Sequence, residues 1–314
     1  MIDADFKKWL IERFGDDVKL NEPMHRHTSL RVGGPADALV TAGDQTSLQL
    51  LARECGRRRV PWMVVAGGTN LLVKDRGIRG VVIDMTNKMT GIEVIKDSED
   101  TVRLMVRAGT RLPALCNYAI NNGYAGLSFA LGIPATVGGA VKMNAGTAGG
   151  AMADVVDGVE IMTADGTIRK IPRAELCFSY RGFAVKAEDP EMVDGVLILK
   201  VFMSLRRGAP DALRQAADNI LRQRSRRQPT ETWSAGCFFR NPPDGRSAGA
   251  LIDEAGLKGL TKGGAAVSGQ HANFIINTGD ATAADILELV GMVRETVAER
   301  FGVQLEPEVQ IVGE

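Results

Sequence analysis

Residues 126–150, GLSFALGIPATVGGAVKMNAGTAGG, hold one ionic side chain, Lys142, in a stretch too rich in glycine to form a single helix or strand. A solvated loop of this length would carry more polar residues. The tract therefore reads as a wall pressed against a large flat ligand, or as a core crossing between strands. Glycine spacing elsewhere sharpens the constraint. No two glycines in the chain stand two positions apart, so the G-x-G-x-x-G dinucleotide fingerprint is absent, as are G-K-[ST] and H-E-x-x-H.

A shorter glycine turn, AGGTNLL at 66–72, follows the apolar run VPWMVV. Glycine there lets successive backbone N–H groups face a phosphate; a plain tight turn between strands is the other reading. Lys+Arg 38 balances Asp+Glu 38, so no whole-protein field recruits nucleic acid or an anionic membrane. An anionic ligand must be met by a local cluster. With only His25, His27 and His271 as imidazole ligands, no metal site is expected. Cys55, Cys116, Cys177 and Cys237 form no C-x-x-C pair, which points to reduced thiols and a cytoplasmic protein. The opening MIDADFKKWLIERFGDD repeats apolar residues at helical spacing, unlike a signal peptide, and no apolar run approaches the ~18 residues of a bilayer span. We expect a soluble chain working as a monomer.

A length of 314 residues allows two or three domains. Over residues 1–85 helix-like and strand-like stretches alternate. Two extended pieces flank the Gly-Gly-Pro of SLRVGGPADALVTAGD, a helix follows in QTSLQLLARECGRRR, and strands lie in VPWMVV and GVVIDM. Residues 86–207 turn antiparallel, with hairpins in GIEVIKDSEDTVRLMVRAGT and DGVEIMTADGTIRKIPR, a helix in RLPALCNYAINNG and a strand in GVLILKVFMSLRRG. A third region, 208–301, opens with a helix from Asp211 to Arg227. It ends with another that starts near Thr282, whose hydroxyl and Asp285 make a capping-box pattern. Residues 302–314 supply a last strand, VQLEPEVQIVGE, assigned to the first region. The class is α+β.

Seven stretches, in order, resemble the UDP-N-acetylenolpyruvoylglucosamine reductases, the MurB family of peptidoglycan precursor synthesis, in its shorter form. They are HTSLRVGGPADALV (27–40), GGTNLLV (67–73), GIPATVGGAVKMNAG (132–146), SYRG (179–182), SAGCFFRNP (234–242), HANFIINTGDAT (271–282) and LEPEV (305–309). The resemblance implies a two-part FAD-binding region of the vanillyl-alcohol oxidase type plus an α+β substrate-binding domain. It also implies NADPH as co-substrate and UDP-N-acetylglucosamine enolpyruvate as substrate. The FAD is expected to be noncovalent, since no histidine stands beside the first glycine loop. Gly67, Gly68, Thr69, Asn70 and Leu71 would hold the FAD pyrophosphate, while Ile133, Pro134, Thr136, Gly138 and Gly139 would lie along the flavin.

The implied reaction passes a hydride from NADPH to FAD and then from N5 of reduced FAD to C3 of the enol ether, with a proton delivered to C2. Hydride addition loads negative charge onto the conjugated carboxylate, so the site needs a cationic clamp, an acidic partner and a proton donor. By resemblance these are Arg181, Glu308 and Cys237, the last standing where the family most often has serine. A thiol with an ordinary pKa of about 8.5 is a competent donor. From the residues alone, a buried apolar cysteine, a surface ion pair and an edge carboxylate stay open as readings of Cys237, Arg181 and Glu308. The UDP half is assigned to Tyr180, Arg227 and Asn241. Departures lie nearby: Gly182-Phe183 replaces the family's usual continuation of Tyr-Arg-x-Ser, Gln310 stands where arginine is common, and Ala148 replaces an aromatic. They leave open an FAD oxidoreductase of the same fold with another substrate, or a noncatalytic sugar-nucleotide binder.

Overall fold

Helix α1 (Ala4–Phe14) starts where Asp3 accepts the Phe6 N–H at 2.7 Å, and it buries Phe6 and Leu10, one turn apart. The computed structural model describes residues 2–186, 196–243 and 245–314. The first sheet runs in the order Val18–Pro23, Pro35–Thr41, Ile78–Asp84, Trp62–Val65. Its last three strands are parallel, and helix α2 (Gln45–Arg58) crosses from Pro35–Thr41 to Trp62–Val65. The two central strands are buried along nearly their whole length, as parallel strands covered on both faces must be. Of the two extended pieces expected around Gly-Gly-Pro, only the second is a strand. Thr28 Oγ1 donates to Val32 O at 2.9 Å and Arg31 takes a left-handed φ of 55°, so the first piece is a turn instead.

The second sheet is antiparallel. The predicted hairpins, Ile92–Asp97 with Thr101–Arg107 and Val156–Met162 with Ile168–Pro172, flank the long strand Leu197–Arg207. One core joins both sheets, α1, α2, α3 (Leu112–Asn121) and the short α4 (Val137–Lys142), with Leu51, Leu104, Leu115, Val141 and Val201 among its members. Helix α5 (Pro210–Arg227) rests on α3 and buries only Ala217 of its own residues.

A third sheet, Trp233–Cys237, Phe274–Asn277, Ala265–Val267 and Thr261–Lys262, shares a separate core with α6 (Ala248–Glu254) and α7 (Ala283–Phe301). The expected capping box opens α7: Thr282 Oγ1 accepts the Asp285 N–H at 3.0 Å, and the Asp285 carboxylate accepts the Thr282 N–H at 2.9 Å. The terminal segment is strand only over Gln310–Val312, which pairs in parallel with Leu71–Val73. No described helix is long and apolar enough to cross a membrane. Thr282→Ala removes one half of the reciprocal cap on α7. It should cost about 1 kcal/mol, seen as a lower urea midpoint by circular dichroism.

Candidate active site

Strand Trp62–Val65 runs into residues 66–70, where Gly67 and Gly68 have φ of 82° and 57°. A Cβ at Gly68 would sit 1.9 Å from His27 O, so only glycine permits this approach to the 27–29 turn. The second glycine tract reaches the same place. Thr136, 2% exposed, caps α4 by accepting the Gly139 N–H at 3.3 Å, and a Cβ at Gly139 would lie 3.9 Å from Ala66 Cβ in the first loop. Both tracts wall a cavity of about 1240 Å³. A pocket for one small ligand runs to roughly 300–1,000 Å³, so this one has room for a large cofactor and a second ligand together. Gly68, Thr69, Asn70, Leu71, Ile133, Pro134, Thr136, Gly138 and Gly139 line it, whereas Gly67 shapes the turn without forming wall. Close backbone approach at one end and a small-residue surface whose one ionic side chain is Lys142 suit a flat cofactor with an anionic tail.

Three distant segments bring ionisable groups to this cavity. Arg181 occupies the two-residue turn of the hairpin Leu176–Ser179 and Gly182–Val185 with φ of 54°, a region favoured by glycine and asparagine. Holding a non-glycine residue there costs of order 1–3 kcal/mol. Its Nε lies 2.6 Å from Glu308 Oε1, and its Nη1 donates to Gly146 O at 3.4 Å. Glu308 is fixed through its backbone: its N–H donates to Phe238 O at 2.7 Å, and Asn70 Nδ2 donates to its carbonyl at 3.2 Å. Burial pushes the Glu308 carboxyl up by more than Arg181 and Arg240 pull it down.

Cys237 ends its strand beside Gly236. Asn273, 3% exposed, fixes the following residues by accepting the Phe239 N–H at 2.9 Å and donating to Phe239 O at 2.8 Å. Burial, followed by the charge of Glu308, pushes the Cys237 thiol up to about 11, against the opposing pull of Arg181, Arg224 and a hydrogen bond from Asn273. The thiol therefore keeps its proton at neutral pH.

The three residues assigned to the sugar nucleotide lie elsewhere. Tyr180 is 56% exposed, with the Arg181 guanidinium 5.3 Å from its ring centroid, and its hydroxyl accepts the Asn241 N–H at 3.4 Å. The Asn241 side-chain oxygen accepts the Ala248 N–H at 3.0 Å, which opens α6, and Arg227 is exposed at the end of α5. None of the three lines the cavity. Arg224, which no motif singles out, does. Its Nη2 donates to Gly132 O at 3.4 Å, and burial pulls its guanidinium below the ordinary arginine value. The signal lies in the helix period: Arg224 follows Ile220 by one turn and Ala217 by two, so it extends the inward face of α5. No cluster of three or more His, Cys, Asp or Glu among the described residues is placed to hold a metal ion.

Residues 228–312 match the C-terminal domain of UDP-N-acetylenolpyruvoylglucosamine reductase, and residues 36–172 match an FAD binding domain. The UDP-N-acetylenolpyruvoylglucosamine reductase of Desulfosudis oleivorans is 52% identical over 313 residues, 100% of each chain. That of Heliobacterium modesticaldum is 43% identical over 293 residues, 93% of this chain and 90% of its own. The crystal structure of UDP-N-acetylenolpyruvylglucosamine reductase (MurB) from Thermus caldophilus aligns with a TM-score of 0.75 at 38% identity, over 94% of this chain and 98% of that one. The expected α+β fold with an FAD-binding region is thus present, and the chain belongs to the UDP-N-acetylenolpyruvoylglucosamine reductase family.

Proposed function

We propose that this chain reduces UDP-N-acetylglucosamine enolpyruvate to UDP-N-acetylmuramate, with Cys237 as proton donor and Arg181 and Glu308 at the substrate carboxylate. The observation that carries the reading is the meeting of Arg181, Glu308 and Cys237 in the wall of one cavity shared with both glycine tracts. The enzyme is an oxidoreductase that uses FAD and NADPH. FAD, when bound, takes reducing equivalents from NADPH and supplies them to C3 of the enolpyruvyl group.

The residues of this chain supply the rest. Residues 67–71 are proposed to hold the pyrophosphate through backbone N–H groups, and residues 133–139 to lie along the ring system without a covalent link. Arg181 receives the negative charge that gathers on the substrate carboxylate. Glu308 aims the guanidinium through their ion pair. Cys237 then gives its proton to C2. Tyr180 and Asn241, joined by their hydrogen bond beside Arg181, are proposed to meet the sugar nucleotide outside the cavity wall, with Arg227 next to the wall residue Gln228.

The three sheets support a division into residues 1–85 with 302–314, 86–207 and 208–301, in which α5 of the third region lies against α3 of the second. A monomer is proposed as the working unit. Four free cysteines support a reducing, cytoplasmic setting.

NADPH oxidation by the yellow protein should require UDP-N-acetylglucosamine enolpyruvate; oxidation indifferent to that substrate would point to another acceptor. Cys237→Ser should stay active, and Cys237→Ala should retain FAD yet lose about 100-fold or more in turnover, the scale of a general acid. Stopped-flow reoxidation of the reduced enzyme by substrate reads this step, and undiminished reoxidation in the alanine variant removes the thiol from the mechanism. In a Cys177→Ser background, which removes the exposed thiol, iodoacetamide should modify Cys237 and inactivate the enzyme, with substrate protecting it. Because the thiol titrates at about 11, the rate should climb roughly tenfold per pH unit from 7 to 9. A plateau in that range would contradict the buried setting.

A further inference from the structure

We propose that Arg224 is a positioning residue for Cys237: it supplies the counter-charge that holds the thiolate left when the thiol gives up its proton. The inference deepens the proton-donor reading of Cys237 and rests on it. In the transfer the S–H bond breaks as the C2–H bond forms, the electron pair stays on sulfur, and the thiolate takes a proton back from water before the next turnover. A negative sulfur thus forms at a half-buried position in the cavity wall, where a charge gains from a nearby partner.

Three charged groups act on that sulfur: Glu308, Arg181 and Arg224. Arg181 is already committed to Glu308 at 2.6 Å, and the carboxylate opposes the thiolate more strongly than Arg181 favours it. The pair therefore gives no net help. Arg240 pulls on Glu308 rather than on the sulfur. Arg224 remains, lining the same cavity from the end of α5, with no carboxylate partner among the described residues and one long bond to Gly132 O. Its place depends on the glycine tract: Gly132 has φ of 76°, and a Cβ there would come 2.8 Å from Arg224 Nε. A bare backbone at 132 thus gives the guanidinium its slot. Before proton transfer Arg224 is an unneutralised cation. Afterwards sulfur and guanidinium cancel.

The test uses the FAD-loaded Cys177→Ser enzyme without substrate, treated with iodoacetamide at pH 9, with modification of Cys237 followed by mass spectrometry. The reagent is neutral, so Arg224 does not attract it. Arg224→Gln should slow modification about tenfold, the effect of losing one nearby cation on the thiolate fraction, and Arg224→Lys should restore most of the rate. Arg224→Met serves as a second charge-free variant should the glutamine variant fold poorly. An unchanged rate in the charge-free variants, whether or not FAD is retained, overturns the inference, as does equal slowing in the lysine variant. Full activity of Cys237→Ala overturns the donor reading and this inference together, whereas an inactive Cys237→Ala beside an unchanged Arg224→Gln rate overturns this inference alone.

Discussion

The parallel pairing of Gln310–Val312 with Leu71–Val73 decides where Glu308 can stand. The Gln310 N–H donates to Asn70 O at 3.0 Å, and Asn70 Nδ2 reaches back to Glu308 O, so the first glycine turn grips the terminal segment on both sides of Val309. From the opposite flank, the Glu308 N–H donates to Phe238 O and the Arg240 N–H to Glu306 O at 2.9 Å. Glu308 is thereby held between the first glycine turn and the residue that follows Cys237. A carboxylate anchored by its own backbone on two sides has little freedom left, and Arg181 can be aimed by it. The end of the chain acts as the joint that makes one site out of three sheets.

Stability is not what this arrangement favours. Arg181 adopts a left-handed backbone, the Glu308 carboxyl stays raised even with a guanidinium at 2.6 Å, and the Cys237 thiol is raised beside both. Each group sits in a state that burial or sterics disfavours, and an ion pair taken from water repays its desolvation only in part. Strained and shifted groups gathered in one cavity are what a site for developing charge requires. The surrounding core sustains them. Phe238 and Phe239, both buried and in edge contact at 5.4 Å, flank the segment that carries the thiol, and Asn273 fixes the backbone of Phe239 in both directions.

What the sequence made legible was local and periodic. Alternation marked both hairpins of the second sheet, and the Thr282–Asp285 cap was readable because its partners are three residues apart. Residues 28–32 misled because their apolar residues resemble a strand, while the turn is set by the Thr28 hydroxyl and by a long-range bond from Asn277 Nδ2 to Leu30 O. The grip of Asn70 on Glu308 joins residues 238 positions apart and leaves no trace in spacing. Arg224 was hidden in another way. It stands among Arg222, Arg226 and Arg227 on one helix, and only the inward register of Ala217 and Ile220 separates it from neighbours that face solvent.

Cysteine in place of a hydroxyl residue is often taken to install a more acidic, more reactive group, yet this pocket cancels most of that difference in the resting state. With burial and Glu308 lifting it to about 11, the thiol is as fully protonated at neutral pH as a serine hydroxyl would be. In the proposed mechanism the distinction appears only after the proton has gone. Sulfur accommodates negative charge better than a hydroxyl oxygen, which favours the transfer, but it then remains charged in a setting where the nearest paired groups give no net relief. A cation lining the same cavity matters more to a thiolate that persists than to an oxygen that recovers its proton at once. In the proposed mechanism, the register of α5 and the bare backbone at Gly132 therefore bear on the proton step alongside the strand that carries Cys237.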